Sequence, residues 1–575
     1  EKFSDIAASA GVAATDWSWS TLMNDYDGDG IKDVFISNGI LRRPNDLDYL
    51  KFVIGDSLHY GLPTSEKLDQ EAIDLMPDGR VHNYIFKGSK DLRFEDKSLK
   101  WGFEDKGVSN GSTYADLDND GDLDLVTNNL NEKASIYQNN ARELLKHNFV
   151  KIKFKGDGGN TFGVGAKVIL KTKDGQQLQQ MMPTRGFMSS VEPTLLFGIG
   201  DLQQVEEMLV IWENEKMQIV KNPKINTTLT MEQKNATVNV KDYVFSAPVK
   251  PLFEEVTAGV AVPYQHQENV YFDFNRELLI PFKVSIEGPK IAVGDVNGDG
   301  LEDVYLSGAK YQAGQLLLQK GAGFVVSNQP VFKADSLFED VDALFFDADG
   351  DKDLDLYVVT GGNEFFDQMP EQFDRLYTND GKGNFTEQSA ALAPEFKALG
   401  MVTDAKVLDY DGDGLQDVVF VGEWMGPTFF KNVAKKLEKM SLPGMENLKG
   451  WYRTLEVGDF NGDGKPDLAL GNQGFNTRMK GSNAYPIRMY LNDFDQNGSV
   501  EQIYTQVLDG VSIPYTLKHE LERQVPSIKK KYLRYSDYAN QSLQDIFSKE
   551  VFQLSYQKCG EILVLIRAPR TSLKK

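Results

Sequence analysis

The chain has 575 residues, too many for one hydrophobic core, so more than one domain is expected. Its 85 acidic and 62 basic residues leave a formal net charge of −23, which repels phosphate backbones and disfavours RNA or DNA as a partner. No apolar run is long enough for a membrane span, and Cys559 as the only cysteine excludes an internal disulfide and, with five histidines, leaves few soft-metal ligands.

In chain order, residues 1–145 carry two acidic segments between β-prone runs: Asp25, Asp27, Asp29, Gly30, Asp33, then Asp116, Asp118, Asp120, Gly121, Asp124. Phe3-Ser4-Asp5 and Phe94-Glu95-Asp96 each lie 22 residues ahead of them, and Ser135-Ile136-Tyr137-Gln138-Asn139 follows the second. Residues 146–243 read differently, with strand-like runs at Phe149-Val150-Lys151-Ile152-Lys153-Phe154, Ala166-Lys167-Val168-Ile169-Leu170, Met208-Leu209-Val210-Ile211-Trp212 and Thr227-Thr228-Leu229-Thr230-Met231. Alternation in the first predicts a half-exposed antiparallel sheet.

The acidic template restarts in residues 250–510, where Phe253-Glu254-Glu255-Val256 echoes Phe3-Ser4-Asp5-Ile6. Five segments follow: Asp295, Asn297, Asp299, Asp303; Asp347, Asp349, Asp351, Asp355; Asp409, Asp411, Asp413, Asp417; Asp459, Asn461, Asp463, Asp467; and Asp493, Asp495, Asn497, Glu501. Arg375-Leu376-Tyr377-Thr378-Asn379, Thr428-Phe429-Phe430-Lys431-Asn432 and Arg488-Met489-Tyr490-Leu491-Asn492 recur after the loops as a further strand. Residues 511–550 read as a helical insertion broken at Pro526, and 551–575 as an irregular tail with a basic Arg567-Ala568-Pro569-Arg570.

All seven segments follow Asp-x-Asp/Asn-x-Asp/Asn-x-x-x-Asp/Glu. Side chains at positions 1, 3 and 5 can aim hard oxygens at one centre when the chain curls sharply, as glycine at position 6 permits; they and the acid at position 9 are the expected ligands, with a carbonyl at position 7 completing the shell. Calcium suits such oxygen sets, magnesium demands a tighter octahedron and zinc prefers His and Cys. Position 12 is Ile36, Thr127, Leu306, Val358, Phe420, Leu470 or Tyr504, so these are not EF-hands, and the acid at position 9 opens a strand. Spacings of 52, 62, 50 and 34 residues bracket a four-stranded propeller blade. The 25 carboxylates at ligand positions account for most of the acidity, and seven Ca²⁺ would leave about −9. Folding and calcium are therefore expected to be coupled, each site adding roughly 1.4 kcal/mol at tenfold excess over Kd.

The loop, with its following Asp-Leu-x-Val strand and the Leu-Tyr-x-Asn strand, resembles the FG-GAP (VCBS) repeat, the blade of integrin-α-type β-propellers. Lys352 stands where the fourth loop should have glycine, which implies a strained backbone or a wider loop. Asn160, Gly163-Val164-Gly165-Ala166-Lys167-Val168, Arg185-Gly186-Phe187, Leu196-Phe197-Gly198-Ile199-Gly200 and Val210-Ile211-Trp212 resemble the ASPIC/UnbV domain, which accompanies FG-GAP repeats in bacterial proteins and in the secreted cartilage acidic protein family. Its usual Trp-Pro-x-Gly turn is Trp212-Glu213-Asn214-Glu215 here. Together these resemblances imply an all-β protein in which propeller blades flank a β-sandwich-like module. They also imply up to seven Ca²⁺ sites, an extracellular or cell-surface location, and a monomer that binds a protein or glycan ligand in adhesion. Two loops precede the module and five follow, against seven blades in family propellers, so the chain is expected to start late in one propeller and stop inside another.

Enzyme motifs are weak. His519-Glu520-Leu521-Glu522-Arg523 lacks the second histidine of a zinc protease, and neither a Gly-x-Ser-x-Gly elbow nor a Walker loop is expected. Lys529-Lys530-Lys531-Tyr532-Leu533-Arg534-Tyr535 reads as a solvated helix face. Of Trp17, Trp19, Trp101, Trp212, Trp424 and Trp451, only Trp17 and Trp19 are expected to be exposed, sharing one strand face. The rival to a binding protein is a surface hydrolase or lyase acting on polysaccharide from a propeller face.

Overall fold

A computed structural model describes residues 3–60, 73–74, 76–245, 251–260, 262–365, 369–445, 448–474, 476–482, 484–553 and 555–560. The basic run at Arg567 to Arg570 lies outside the described residues. The fold is all-β, built from many small sheets with a short helical region near residues 518–553, and no sheet closes into a barrel among the described residues. The chain divides into two compact units, Glu1–Pro251 and Leu252–Lys575.

In the first unit, one sheet runs Ser18–Asn24, Asp33–Asn38, Tyr84–Gly88, Phe94–Asp96, and a second runs Ser109–Ala115, Asp124–Asn129, Ser135–Tyr137. Asp33–Asn38 is buried at every position because it is an inner strand covered on both faces. Leu22, Phe35, Ile85, Tyr114 and Leu125 form the core between the two sheets. Residues 148–239 then make a sandwich of a three-stranded and a five-stranded sheet around Val150, Ile152, Val168, Phe197, Val210 and Trp212. The strand Asn148–Lys155 runs antiparallel to Thr194–Gly200 but parallel to Thr228–Glu232, so the expected antiparallel sheet is mixed. Its outward face is not left to water either: Lys151 is only 2% exposed, because the second blade covers it.

The second unit continues with sheets Ile291–Gly294, Asp303–Leu306, Gln315–Lys320, Gly323–Val326 and Asp340–Phe346, Asp355–Thr360, Arg375–Asn379, Phe385–Glu387. The blade that starts at Met401–Leu408 fuses with the next one through Glu423 opposite Trp451. The strand Ile487–Asn492, worded like a closing strand of the sixth repeat, instead pairs with Glu501–Leu508 and opens the seventh hairpin. Thirty-four residues between loops do not accommodate both roles. Helices Lys518–Gln524 and Ser527–Lys531, separated at Pro526, begin an insertion whose Leu521, Ile528, Tyr538 and Ile546 pack on Tyr490, Phe494 and Ile503. Trp212, Trp424 and Trp451 are buried, whereas Trp17 and Trp19 are half-buried, with Trp19 packed on Phe187 and its Nε1 donating to the Gly39 carbonyl at 2.7 Å.

Candidate metal centres

Each acidic loop joins two antiparallel strands in one register: the residue before position 1 pairs with the acid at position 9, as in Asn24 with Asp33, Phe346 with Asp355 and Asn492 with Glu501. The position-9 acid is the clamp of the turn. In all seven loops it accepts the N–H of position 2, from Tyr26 to Asp33 at 2.9 Å through to Phe494 to Glu501 at 2.8 Å. Its second oxygen accepts a backbone N–H from a neighbouring strand in five of them: Gly88, Asn139, Gln319, Asn379 and Asn432. Position 9 therefore closes the hairpin whether or not an ion is present.

The curl needs left-handed backbone twice. Position 6 has φ of +92° at Gly30 and +81° at Gly464, and position 4 has +73° at Gly28 and +77° at Gly462. Sequence reasoning noted position 6 alone, although glycine recurs at position 4 in five loops. Lys352 takes the expected strain, with φ of +77°, and keeps the loop's bond by donating its N–H to Asp347 at 3.1 Å. The same bond runs from Gly30 to Asp25 and from Gly498 to Asp493, both at 2.8 Å. Position 5 accepts from the position-7 N–H, as in Ile31 to Asp29 at 2.8 Å and Leu415 to Asp413 at 2.9 Å.

These turns gather carboxylate oxygens within 4.8 Å of one another in five loops: Asp25, Asp27, Asp29; Asp116, Asp118, Asp120; Asp347, Asp349, Asp351; Asp409, Asp411, Asp417; and Asp493, Asp495, Glu501. The third and sixth loops have Asn297 and Asn461 at position 3, whose amides donate to Asp303 at 3.0 Å and Asp467 at 2.9 Å. An ion there would require the amide oxygen to turn inward. Lysines neutralise several loops: Lys87 bonds Asp27 and, at 2.7 Å, Asp29; Lys431 bonds Asp411; Lys320 bonds Asp299 at 3.0 Å.

Burial separates the loops electrostatically. It pushes the Asp25 and Asp33 carboxyls up to about 7, Asp355 to about 6 and Glu501 to about 7, with neighbouring carboxylates adding to the rise in each case. Asp459 is held low by the N–H of Gly464, and Asp411 by Lys431. Buried oxygens without a hydrogen-bond partner include Asp25 Oδ1, Asp116 Oδ1, Asp495 Oδ1 and Glu501 Oε1.

Three further features were missed or misjudged from sequence. The asparagine of the Leu-Tyr-x-Asn strand ties three of the blades to the one before, while Asn492 donates to the Val551 carbonyl at 2.9 Å. Asn139 Nδ2 donates to the Tyr26 carbonyl at 2.7 Å, Asn379 to Val296 at 2.7 Å and Asn432 to Ala348 at 2.9 Å, always to position 2 of the preceding loop. Gly107-Val108-Ser109-Asn110-Gly111 has the spelling of a nucleophile elbow, but Ser109 opens a strand, is buried, and donates to Asn129 Oδ1 at 2.8 Å while accepting from Asn83. The adjoining buried acids Asp342 and Asp404 are laced to the next blade by the N–H groups of Ala405 and Leu455 at 3.0 and 2.8 Å. Both features have structural explanations.

Comparison with known families matches residues 156–238 to the ASPIC and UnbV model and residues 347–420 and 409–470 to an FG-GAP-like repeat model. The chain thus carries an ASPIC/UnbV domain and FG-GAP-like repeats. Neither is a known catalytic family. No curated protein matches the chain. Among solved structures, the Photorhabdus luminescens Tc holotoxin pore carrying the TccC3-D651A mutation is similar over 79% of this chain at 13% identity. This chain spans 18% of that one, and a TM-score of 0.20 carries no argument.

Proposed function

We propose that the acidic loops bind Ca²⁺ and that the protein is a calcium-stabilised interaction module, extracellular or at the cell surface, which binds a protein or glycan ligand in adhesion. The observation that supports this most is the set of buried carboxylate oxygens at Asp25, Asp116, Asp495 and Glu501 that lack a hydrogen-bond partner within tight all-oxygen clusters. A divalent cation supplies the missing partner and offsets the like-charge repulsion, and an oxygen-only donor set favours calcium over zinc. Side chains at positions 1, 3 and 5 together with the acid at position 9 would hold the ion, and the backbone hydrogen bonds to position 9 align the loop around it. FG-GAP repeats are typical of extracellular proteins, and no described helix is long and apolar enough to cross a membrane.

Titration calorimetry of the folded chain with calcium up to millimolar concentration is expected to give several equivalents of uptake, and EDTA to lower Tm by several degrees. No uptake together with an unchanged Tm in EDTA would refute the reading.

A further inference from the structure

The first two loops differ from the other five in what covers them. Asp25 is 2% exposed and Asp116 6%, whereas position 1 of each remaining loop is half-buried or open. The cover is the sandwich of residues 148–239. Its strand Thr194–Gly200 crosses the first loop so closely that a Cβ at Gly198 would collide with the Asp25 carboxylate, and Gly200 donates its N–H to the Gly28 carbonyl at 2.9 Å. His147 Nδ1, at the start of the same segment, donates to the Asp27 carbonyl at 2.8 Å. At the second loop, Lys151 Nζ lies 2.9 Å from Asp116 Oδ2 and 3.3 Å from Glu192, and the Phe149 ring fills the space beside Gly121. Asp122 Oδ2 takes the N–H of Arg142 at 2.8 Å.

The sandwich thus covers the position-1 acids of both clusters while leaving Asp25 Oδ1, Asp116 Oδ1 and Asp122 Oδ1 without a hydrogen-bond partner. Lys151 answers Oδ2 of Asp116, and Oδ1 has no hydrogen-bond partner. Seating the sandwich therefore buries anionic oxygens that a cation inside the loops would complete, and the same cation gains a drier, better shielded site. Such reciprocity is a coupling free energy.

We propose that calcium in the first two loops locks the ASPIC/UnbV module onto its two blades, so that module seating and calcium binding at these loops strengthen each other while the five loops of the second unit take no part. This rests on the calcium reading above. It assigns the module a regulated joint in which a calcium-poor medium loosens it from the blades.

The test is hydrogen–deuterium exchange of the full chain with calcium and with EDTA, alongside calorimetric uptake. EDTA is expected to speed exchange roughly tenfold or more in peptides covering 142–151 and 194–200, with the strand Glu207–Ile211 inside the sandwich little changed. In the Asp25→Asn/Asp116→Asn double variant, calcium should no longer slow exchange at that seam, whereas Asp411→Asn should lose one equivalent and keep the seam's calcium response. Calcium uptake with an unchanged seam in the unmutated chain overturns the coupling alone. A seam that loses its response in Asp411→Asn overturns its local character. Absence of any calcium uptake overturns both this inference and the calcium reading beneath it.

Discussion

Asp25 and Asp459 stand at the same place in the same turn, one beneath the strand Thr194–Gly200 and raised to about 7, the other solvent-exposed and held low by the N–H of Gly464. Both accept the N–H of position 6 at 2.8 Å, and both loops close through a position-9 acid. Template and geometry are shared, yet the charge behaviour is opposite. The motif encodes the ligand set, and the neighbours of the loop set its electrostatic state. Sites spelled alike in one chain are therefore not equivalent.

The largest break in this comparison by a single substitution is expected from Lys151→Met. It leaves Asp116 buried beside Glu192 without its cation, and should cost about 3 kcal/mol in denaturant unfolding of the first unit. Lys431→Met at the exposed fifth loop should leave the unfolding midpoint nearly unchanged, because water already screens that pair.

Proton linkage gives a further effect. Folded Asp25 and Asp33 titrate near 7 against an ordinary 3.8, so between those values the folded chain holds protons that the unfolded chain has released. In EDTA, stability of the first unit should fall by several kcal/mol as pH rises from about 4 to about 7, and calcium at pH 7 should restore it. Melting curves across that range check the sign. A stability that rises with pH in EDTA would contradict the burial argument.

Asn379→Ala should cost about 2 kcal/mol, since it strands the buried Val296 and Leu354 carbonyls; chemical denaturation measures it. A small gain is expected at the fourth loop. Lys352→Gly relieves a left-handed lysine and should raise stability by about 1 kcal/mol, while Gly464→Lys at the equivalent place should lower it by a similar amount.

The blades were readable because their signals are local. Position-9 acids stand directly before β-branched runs, and glycine is favoured where the turn's φ is positive, with Asn119, Lys352 and Gln496 as the exceptions. The asparagines of the third strand were visible as a repeating letter, but their role was not, because their partners lie some 80 residues or more away, as Val296 does from Asn379. Lys151 was misread for a related reason. Strand alternation tells which residues leave the sandwich core, and it carries no information on whether water or another domain awaits them. The Ile487–Asn492 strand shows a third limit, since its wording fits two places in a repeat and pairing chooses between them. The Gly107 to Gly111 spelling passed unnoticed, and only its strand setting shows it to be inert.

The asparagine ties give the blade array a direction. The ties of Asn139, Asn379 and Asn432 run from a closing strand back to the turn of the previous blade, so a blade tied in this way carries a plug on one side and meets a socket on the other, whereas Asn492 donates to the Val551 carbonyl instead. A joint of this kind holds two neighbours without counting them. Tandem duplication of a whole blade copies both halves together and keeps every interior joint matched, whereas loss of half a blade leaves one socket empty. The number of blades is thus free to drift in evolution by whole steps, and the FG-GAP array can be lengthened or cut at its seams without redesigning its interior.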